Sequence, residues 1–348
     1  MQSQSEDMSD PDLLKQFKRG VYIHAPDQTL THFSGCLIEG LVALGVPVRT
    51  NATQLTSRPA SMPLDGVDLA SLHSDPLTGF AAYLIDISST NASVPVEGLS
   101  PVAYITTSDI SVFCEIPQPH LLFAAHGSRA AVKPGRRIPI AFGLTERLIA
   151  RTESQLPMAE RDQNALHSFR PTLQQGVRAL LDLAFVPDLQ KVLPVEYINI
   201  PPGHYIEALK KSAVCLCYGG DFYSQIQGNG WFDKNQPELA ALHRFQTLDA
   251  AAVLRWDSWR FWEALAAGCV AVHLDFEKYG FDLPVMPEPW VHYVPLDLAD
   301  LKSSAAAVWD RREQWPDIGA RGRAWAVEHY APQPTAKRVL QAMAEVLP

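Results

Sequence analysis

The residues at positions 255–275 combine cations with the start of a predicted helix, a pattern that suits anion binding. Asp257 or Ser258 can cap this helix, whose free N–H groups and positive dipole end attract negative charge. Arg255 and Arg260 add two guanidinium groups at the same end. The pattern therefore predicts a site for a diphosphate.

A carboxylate follows these cations inside the predicted helix. Glu263 lies three residues after Arg260 and five after Ser258, so a ribose hydroxyl beside the diphosphate is a sensible partner for it. A second interpretation is a surface ion pair between Arg260 and Glu263, with the intervening aromatic residues packing the helix onto a sheet. The functional interpretation gains weight because a Gly-rich aromatic loop precedes the helix and a buried strand follows it.

That loop, residues 218–231, comes directly after another predicted strand. Gly219 and Gly220 would let the backbone approach a ligand closely, and we predict that they contact it. The structural alternative is a long surface loop whose aromatic side chains pack on one another. Neither G-x-x-x-x-G-K-[ST] nor G-x-G-x-x-G after the first strand is present, which disfavours ATP hydrolysis and NAD-dependent dehydrogenation.

Several polar side chains follow predicted strands in the first half of the chain. Asp27, Asp86, Asp109 and His126 are candidates for a general base, because strand ends are where catalytic groups collect. We favour His126, since an imidazole titrates near neutrality and Gly127 gives it a flexible neighbour. A histidine that only caps a loop is the structural alternative.

Composition places the chain among soluble proteins of two domains. It has 348 residues, 47% hydrophobic and 19% charged, with a net charge of −9. The acidic balance argues against a nucleic-acid partner, and the polar N-terminus and lack of a long apolar run predict a cytoplasmic protein without a membrane segment. The five cysteines and eleven histidines form no H-x-x-x-H or paired C-x-x-C pattern, so we predict no metal.

Strand-like and helix-like patterns alternate along the chain, which predicts an α/β fold of two Rossmann-like, doubly wound domains facing a cleft. Predicted strands include residues 20–25, 80–87, 102–106, 121–125, 213–218 and 269–274. We place an acceptor domain at residues 1–150, a donor domain at 151–330, and at 331–348 a helix that crosses back to the first domain. A polar segment, residues 151–164, separates the two domains.

The segment SWRFWEALAAGCVAV, residues 258–272, resembles part of the GT-B glycosyltransferases of the exostosin-like and group 1 families. Residues 320–330, ARGRAWAVEHY, are similar to the closing helix of many such enzymes. The chain departs from group 1 in lacking a Glu-x7-Glu pair and in having Ala271 where many relatives have proline. These departures leave the sugar and the stereochemical outcome open.

The resemblance implies a metal-independent hexosyltransferase-like enzyme that uses a nucleoside-diphosphate sugar as co-substrate and no other cofactor. The second domain would hold the donor, and the first domain would bind a glycan, protein or small-molecule acceptor. Arg170 is the further cation assigned to the leaving diphosphate, with an ordinary surface arginine as its alternative. A nucleotide-sugar epimerase of the same fold and a catalytically degenerate glycan-binding or protein-binding module are the other functions to weigh.

Overall fold

Two parallel sheets organise the protein. The computed structural model describes residues 10–56, 64, 67–74, 78–88, 96–108, 116, 120–129, 137–169, 176–197, 204–224 and 251–347. Parallel strands are covered on both faces and therefore consist of continuous apolar runs. The strands at residues 102–106 and 270–274 are buried along their whole length, as this rule requires.

The first sheet has six parallel strands in the order β3-β1-β5-β6-β7-β9. In chain order, the described strands of the first half are β1 (Val21–His24), β2 (Thr29–Leu30), β3 (Val48–Thr50), β4 (Gln54–Leu55), β5 (Ala82–Asp86), β6 (Val102–Thr106), β7 (Leu121–Ala124), β8 (Gly127–Ser128) and β9 (Arg137–Pro139). β2 pairs with β4 outside the sheet.

The second sheet has five parallel strands in the order β11-β10-β12-β15-β17. The described strands here are β10 (Asp162–His167), β11 (Val195–Tyr197), β12 (Ser212–Leu216), β13 (Asp221–Ser224), β14 (Ala251–Leu254), β15 (Val270–Leu274), β16 (Phe281–Asp282) and β17 (Val294–Leu296). β13 and β14 form an antiparallel pair beside the sheet.

Helices connect and cover the strands. The described helices are α1 (Asp10–Gln16), α2 (His32–Ala43), α3 (Glu146–Arg151), α4 (Gly176–Ala184), α5 (Val186–Leu189), α6 (Tyr205–Lys211), α7 (Trp259–Ala266), α8 (Leu301–Asp310), α9 (Trp315–Tyr330) and α10 (Pro332–Ala344). We call the first sheet with α1 and α2 the first domain, and the second sheet with α3 to α9 the second domain. Within the described residues, no helix is long and apolar enough to cross a membrane.

The last helix, α10, packs against α2 of the first domain. Pro332 starts α10 at the position where a helix tolerates proline, because its missing N–H would have no partner there. Gly40 on α2 lies under the Pro332 carbonyl group, where a Cβ atom would collide with it. A residue without a side chain therefore lets the two helices come close together.

Further contacts join the two domains. Residues 140–145 lead from the first sheet to the second domain, and the Leu144 N–H donates to the Tyr330 carbonyl, 2.9 Å away, where α9 ends. β8 of the first domain pairs antiparallel with β16 of the second. Arg129 also donates from Nη1 to Glu277 Oε1 at 3.0 Å. The domains are thus held together at more than one place.

The α/β class and the two Rossmann-like sheets confirm the sequence prediction of the fold. Local boundaries differ in two places: β10 starts at Asp162, inside the segment expected to be a polar linker, and α9 starts at Trp315 rather than at the glycine-rich residues that follow. Burial of Ala165, Leu166 and His167 in the sheet outweighs the polarity of the first residues of β10. The exact domain limits at 150 and 330 stay a prediction.

Candidate active site

The predicted anion site is the start of α7, and the structure places it against the first domain. Ser258 is the N-cap residue, but its side chain makes no capping hydrogen bond. Asp257 instead accepts hydrogen bonds from Trp262 Nε1 to Oδ1 at 2.7 Å and from the Phe142 N–H to Oδ2 at 2.9 Å. Asp257 therefore ties the helix to the segment that links the domains.

The carboxyl group of Asp257 is removed from water. Only 5% of the residue is exposed, and burial raises its pKa to about 7, although the hydrogen bonds from Trp262, Phe142 and the Ser258 backbone act in the opposite direction. Burial disfavours the ionised form of an acid. Asp257 is consequently a titratable group near neutral pH at the contact between the domains.

His126 lies beside Asp257, and its tautomer follows from one hydrogen bond. The Asp257 N–H donates to His126 Nδ1 at 3.2 Å, so Nδ1 is the acceptor and the neutral ring carries its proton on Nε2. The ring is 1% exposed, and its backbone has a φ of 56°. In this arrangement His126 can donate a hydrogen bond from Nε2, whereas a general base would need a free nitrogen lone pair.

Aromatic side chains complete the contact between α7 and the first domain. The Trp259 ring stacks on Phe142 with centroids 4.1 Å apart, and its centroid is 3.7 Å from that of His32. Trp256 Nε1 donates to the Gly127 carbonyl at 2.9 Å. The start of α7 thus lies between the carboxyl ends of the two sheets, where open α/β folds bind ligands.

Arg260 points toward the end of β10. Its Nε and Nη2 donate to the Ser168 carbonyl at 3.1 and 2.7 Å, and Nε also donates to Ser168 Oγ at 3.0 Å. The guanidinium carbon lies 5.1 Å from the Phe169 ring centroid. Arg260 therefore joins α7 to the carboxyl end of the neighbouring strand.

Glu263 is buried one turn further along α7, with 2% of the residue exposed. Arg260 is also buried, so these two side chains do not lie at the surface as the alternative interpretation expected, although Phe261 and Trp262 pack in the core as it did expect. Burial is the main cause that raises the pKa of Tyr205, and the charges of Cys215 and Glu263 add to it. Tyr205 accepts a hydrogen bond from Ser168 Oγ at 3.3 Å. Polar side chains therefore connect Arg260 of α7, through Ser168, to Tyr205 of α6.

Gly219 and Gly220 follow β12 and face the start of α4. The Val177 N–H of α4 donates to the Gly220 carbonyl at 3.2 Å, and the Gly176 N–H donates to Asp221 Oδ1 at 3.3 Å. A Cβ on Gly219 would lie 3.5 Å from Arg178 Nη2. The two glycines therefore lie between the start of a helix and a cation, at the carboxyl end of the second sheet.

Arg255 follows β14 directly and pairs with Asp221, the first residue of the neighbouring strand β13. Its Nη1 lies 2.9 Å from Asp221 Oδ2, and its φ is 56°. The carbonyl groups of Arg255 and Trp256 lie 3.8 Å from the position of a Cβ on Gly219. Arg255 is thus next to the glycines, and part of its charge is compensated by Asp221.

Replacing Gly220 with alanine is expected to lower the free energy of unfolding by roughly 3 kcal/mol, from backbone strain and overpacking together. Gly220 has a φ of 118°, and a Cβ there would lie 2.8 Å from the Leu254 carbonyl oxygen. Urea unfolding measures the change. The matched control is Gly219→Ala, whose Cβ meets its nearest neighbour at an ordinary 3.5 Å; equal losses from both variants would contradict this assignment.

The two aspartates proposed as bases have different surroundings. Asp86 is fully buried, and Oδ2 accepts hydrogen bonds from the Thr31 N–H, Thr31 Oγ1 and Ser34 Oγ at 2.7 to 2.9 Å. Its Oδ1 accepts from the Ser88 N–H and Oγ. The donors on Oδ2 come from Ser34 of α2 and from Thr31, which precedes it, so Asp86 ties β5 to the start of α2. Asp27 is exposed and accepts from the Thr29 N–H at 3.1 Å.

Two candidates, Arg170 and Asp109, lie outside the described residues. Among the residues that are described, no group of three or more His, Cys, Asp or Glu side chains could hold a metal ion. The structure adds Arg178 and Asp221, which sequence reasoning missed. Asp221 follows Gly220 directly, so its signal was available in the sequence, whereas only the fold brings Arg178 of α4 next to Gly219.

The chain matches no protein-family model and no curated protein. Among solved structures it is similar to an alpha-glucosyltransferase in complex with UDP, with a TM-score of 0.53 and 11% identity over 93% of this chain and 99% of that chain. It is also similar to an alpha-glucosyltransferase in complex with UDP-glucose and DNA containing an abasic site, with a TM-score of 0.52 and 10% identity over 93% and 100% of the two chains.

These similarities are at the level of the fold. The chain has the GT-B architecture, with two Rossmann-like domains whose strand ends face each other. The exostosin-like and group 1 subtypes are finer assignments and stay predictions. Because one of the similar proteins was solved with DNA, the expectation that this chain has no nucleic-acid partner also stays a prediction.

Proposed function

We propose that this protein is a glycosyltransferase that moves a sugar from a nucleoside-diphosphate sugar to an acceptor. The observation that carries the proposal is the convergence of the predicted donor-binding residues at one edge of the second sheet, opposite the first domain. They are Gly219, Gly220, Arg255, Ser258, Arg260 and Glu263. The fold that this chain shares with an alpha-glucosyltransferase solved with UDP supports it.

The diphosphate would lie between the start of α7 and the two glycines. Backbone N–H groups of α7 and the cations Arg178 and Arg255 face this space, and Arg170 is assigned to it by the family resemblance. The hydrogen bonds of Arg260 to Ser168 use Nε and Nη2, and Nη1 is the donor that we assign to a phosphate oxygen. Protein cations would then neutralise the leaving group without a metal ion.

The carboxylate of Glu263 would accept hydrogen bonds from the ribose. A buried carboxylate makes stronger hydrogen bonds to hydroxyl groups than an exposed one, since water does not compete. Glu263 lies close enough to Tyr205 for its charge to help raise the pKa of that hydroxyl group. Glu263 is therefore the residue on which nucleoside recognition should depend most strongly.

On the acceptor side, His126 would donate from Nε2 to the transferred sugar or to the leaving oxygen. Asp86 becomes a positioning residue for α2, and Asp27 is the remaining base candidate among the described strand ends. Among the described residues, more side chains are assigned to the leaving diphosphate than to removal of the proton from the acceptor hydroxyl. This balance favours a reaction driven mainly by leaving-group stabilisation and positioning.

The proposal is tested first by thermal shift with UDP, GDP, ADP, dTDP and CMP and their common sugar conjugates. A ligand that binds only the folded protein raises its midpoint of unfolding. A selective shift by one nucleotide would support the donor site and identify its base. The absence of a shift with every nucleotide would instead support the degenerate binding module.

The Glu263→Gln substitution is expected to weaken binding of the selected nucleotide by roughly 10-fold to 100-fold, the effect of losing charge-assisted hydrogen bonds. The wild type should also discriminate against the 2′-deoxy or 3′-deoxy nucleotide, and the variant should not. Calorimetric titration measures both quantities. The exposed Glu328→Gln is the control, and unchanged discrimination in Glu263→Gln would remove the ribose assignment.

Incubation of the protein with the donor alone separates transfer from epimerisation. An epimerase changes the sugar without any acceptor, whereas a transferase gives at most slow hydrolysis. Adding a chelator to an assay of sugar transfer tests metal independence. A transferase that relies on its own arginines should retain its transfer activity in the presence of the chelator.

A further inference from the structure

A pocket on another side of the contact between the domains has no part in the proposed donor site. Its cavity volume is about 40 Å³, and one side of it is open to solvent. Its walls come from α2, the ends of β7 and β9, the segment after β16, and α10. The apolar wall residues include Phe33, Phe123, Ile138, Ile140, Pro284 and Val339.

One cation, Arg338, extends into this apolar pocket from α10. Within the described part of the chain its guanidinium makes one hydrogen bond, from Nη2 to Thr335 Oγ1 at 3.4 Å, and no ion pair. The guanidinium carbon lies 5.1 Å from the Tyr330 ring centroid. Burial lowers the pKa of Arg338 below its ordinary value. A partly desolvated guanidinium without a carboxylate partner is unfavourable, and an anion would relieve that cost.

We propose that this pocket binds a small organic monocarboxylate with a short apolar body. The planar fork of a guanidinium matches a carboxylate with two parallel hydrogen bonds. The aromatic and aliphatic walls would hold the apolar body, in the usual combination of an apolar lining and a few orienting polar groups. Arg338 is the one cation among the described lining residues, and a single positive charge suits one negative charge better than the two of a phosphate.

The position of the pocket gives its occupant a contact with both domains. Phe33 belongs to the first domain and Ile140 to the segment that leads out of it, whereas Pro284 and Tyr330 belong to the second domain. Tyr330 also accepts the hydrogen bond from the Leu144 N–H where the chain passes between the domains. Such a ligand would bind independently of the nucleotide and would stabilise this arrangement of the domains.

The test is calorimetric titration of the full chain with butyrate, hexanoate and benzoate, with hexanamide and inorganic phosphate as comparisons. We expect saturable binding of at least one carboxylate, at least 10-fold weaker binding of the uncharged amide, and at least a 10-fold loss in Arg338→Gln. Arg311→Gln is the control, because Arg311 also lies over an aromatic ring, that of Trp290, at 4.1 Å. This variant should bind as the wild type does.

No saturable binding by any of the carboxylates, or equal binding by Arg338→Gln, would overturn the proposal. Tighter binding of phosphate than of every carboxylate would also overturn it, because the ligand of the pocket would then be a phosphate. If Arg338→Gln does not fold, methyl NMR of the wild type decides. The methyl groups of Ile138 and Ile140 should shift on titration while that of Ile206, in α6, does not. None of these readouts requires glycosyl transfer, so failure of the donor proposal would leave this test intact.

Discussion

Relative to the Asp257→Asn variant, the wild type should lose up to about 4 kcal/mol of unfolding free energy as the pH rises from about 4 to about 7. The value follows from the difference between the ordinary Asp pKa of 3.8 and the pKa of about 7 in the folded protein. Because the folded protein binds this proton more tightly than the unfolded chain, raising the pH through that window removes stability. Above it, the difference should be constant.

Urea unfolding at a series of pH values measures this difference, and the other titrating groups cancel because both proteins contain them. In Asp257→Asn, the new amide group would face two donors, Trp262 Nε1 and the Phe142 N–H, so the variant should also be less stable at low pH. Trp262→Phe provides a second measurement. It removes one hydrogen bond that lowers the pKa of Asp257, so the pH midpoint should move up, whereas a simple packing defect would lower stability equally at every pH. A difference curve without slope between pH 4 and 7 would contradict the assignment.

The Gly40→Ala substitution is expected to separate α10 from the first domain and to lower the free energy of unfolding by roughly 2 to 3 kcal/mol. The added Cβ would collide with the Pro332 carbonyl and approach the Ala336 Cβ to 2.7 Å. Backbone atoms cannot rotate away as a flexible side chain can. Alanine gains about 1 kcal/mol in helix propensity over glycine, and this gain is too small to offset the collision.

Hydrogen exchange of α10 together with urea unfolding tests this prediction. Faster exchange throughout α10 is expected, because its docking surface on α2 is displaced. Val42→Ala, at a position on the same helix that is 43% exposed, should change neither quantity appreciably. Similar behaviour of the two variants would show that Gly40 is not needed for the close packing of the helices.

Local sequence patterns were sufficient to predict the α/β class and the two Rossmann-like sheets. Strands such as β6 and β15 are continuous apolar runs, and α7 follows a capping residue and ends before Gly268. These signals come from neighbours in the chain. They also underlie the prediction that the glycines, the arginines and Glu263 form a donor site, which makes no reference to the first domain.

The chemical state of individual side chains could not be predicted in this way. His126 was favoured as a base, but an N–H donor 131 residues away determines which nitrogen carries its proton. Asp86 ends a strand, where a general base was expected, and the hydrogen-bond donors to its Oδ2 come from α2 and its N-cap, 52 and 55 residues away. Asp257 was identified as a helix cap, and its partner Phe142 lies 115 residues away. Such contacts depend on how the two halves of the chain meet.

The two passages of the chain between the domains lie side by side, joined by the hydrogen bond from the Leu144 N–H to the Tyr330 carbonyl. Two adjacent points of attachment define a line, so the easiest relative movement is rotation about that line, with little sliding or twisting. The β8–β16 pair and the ion pair between Arg129 and Glu277 also bridge the domains. A rotation that opens the domains must break those of these contacts that lie away from the axis. The exposed ion pair contributes little free energy, so it opposes this rotation only weakly. The backbone pair and the aromatic contacts of α7 would therefore determine how readily the two domains separate.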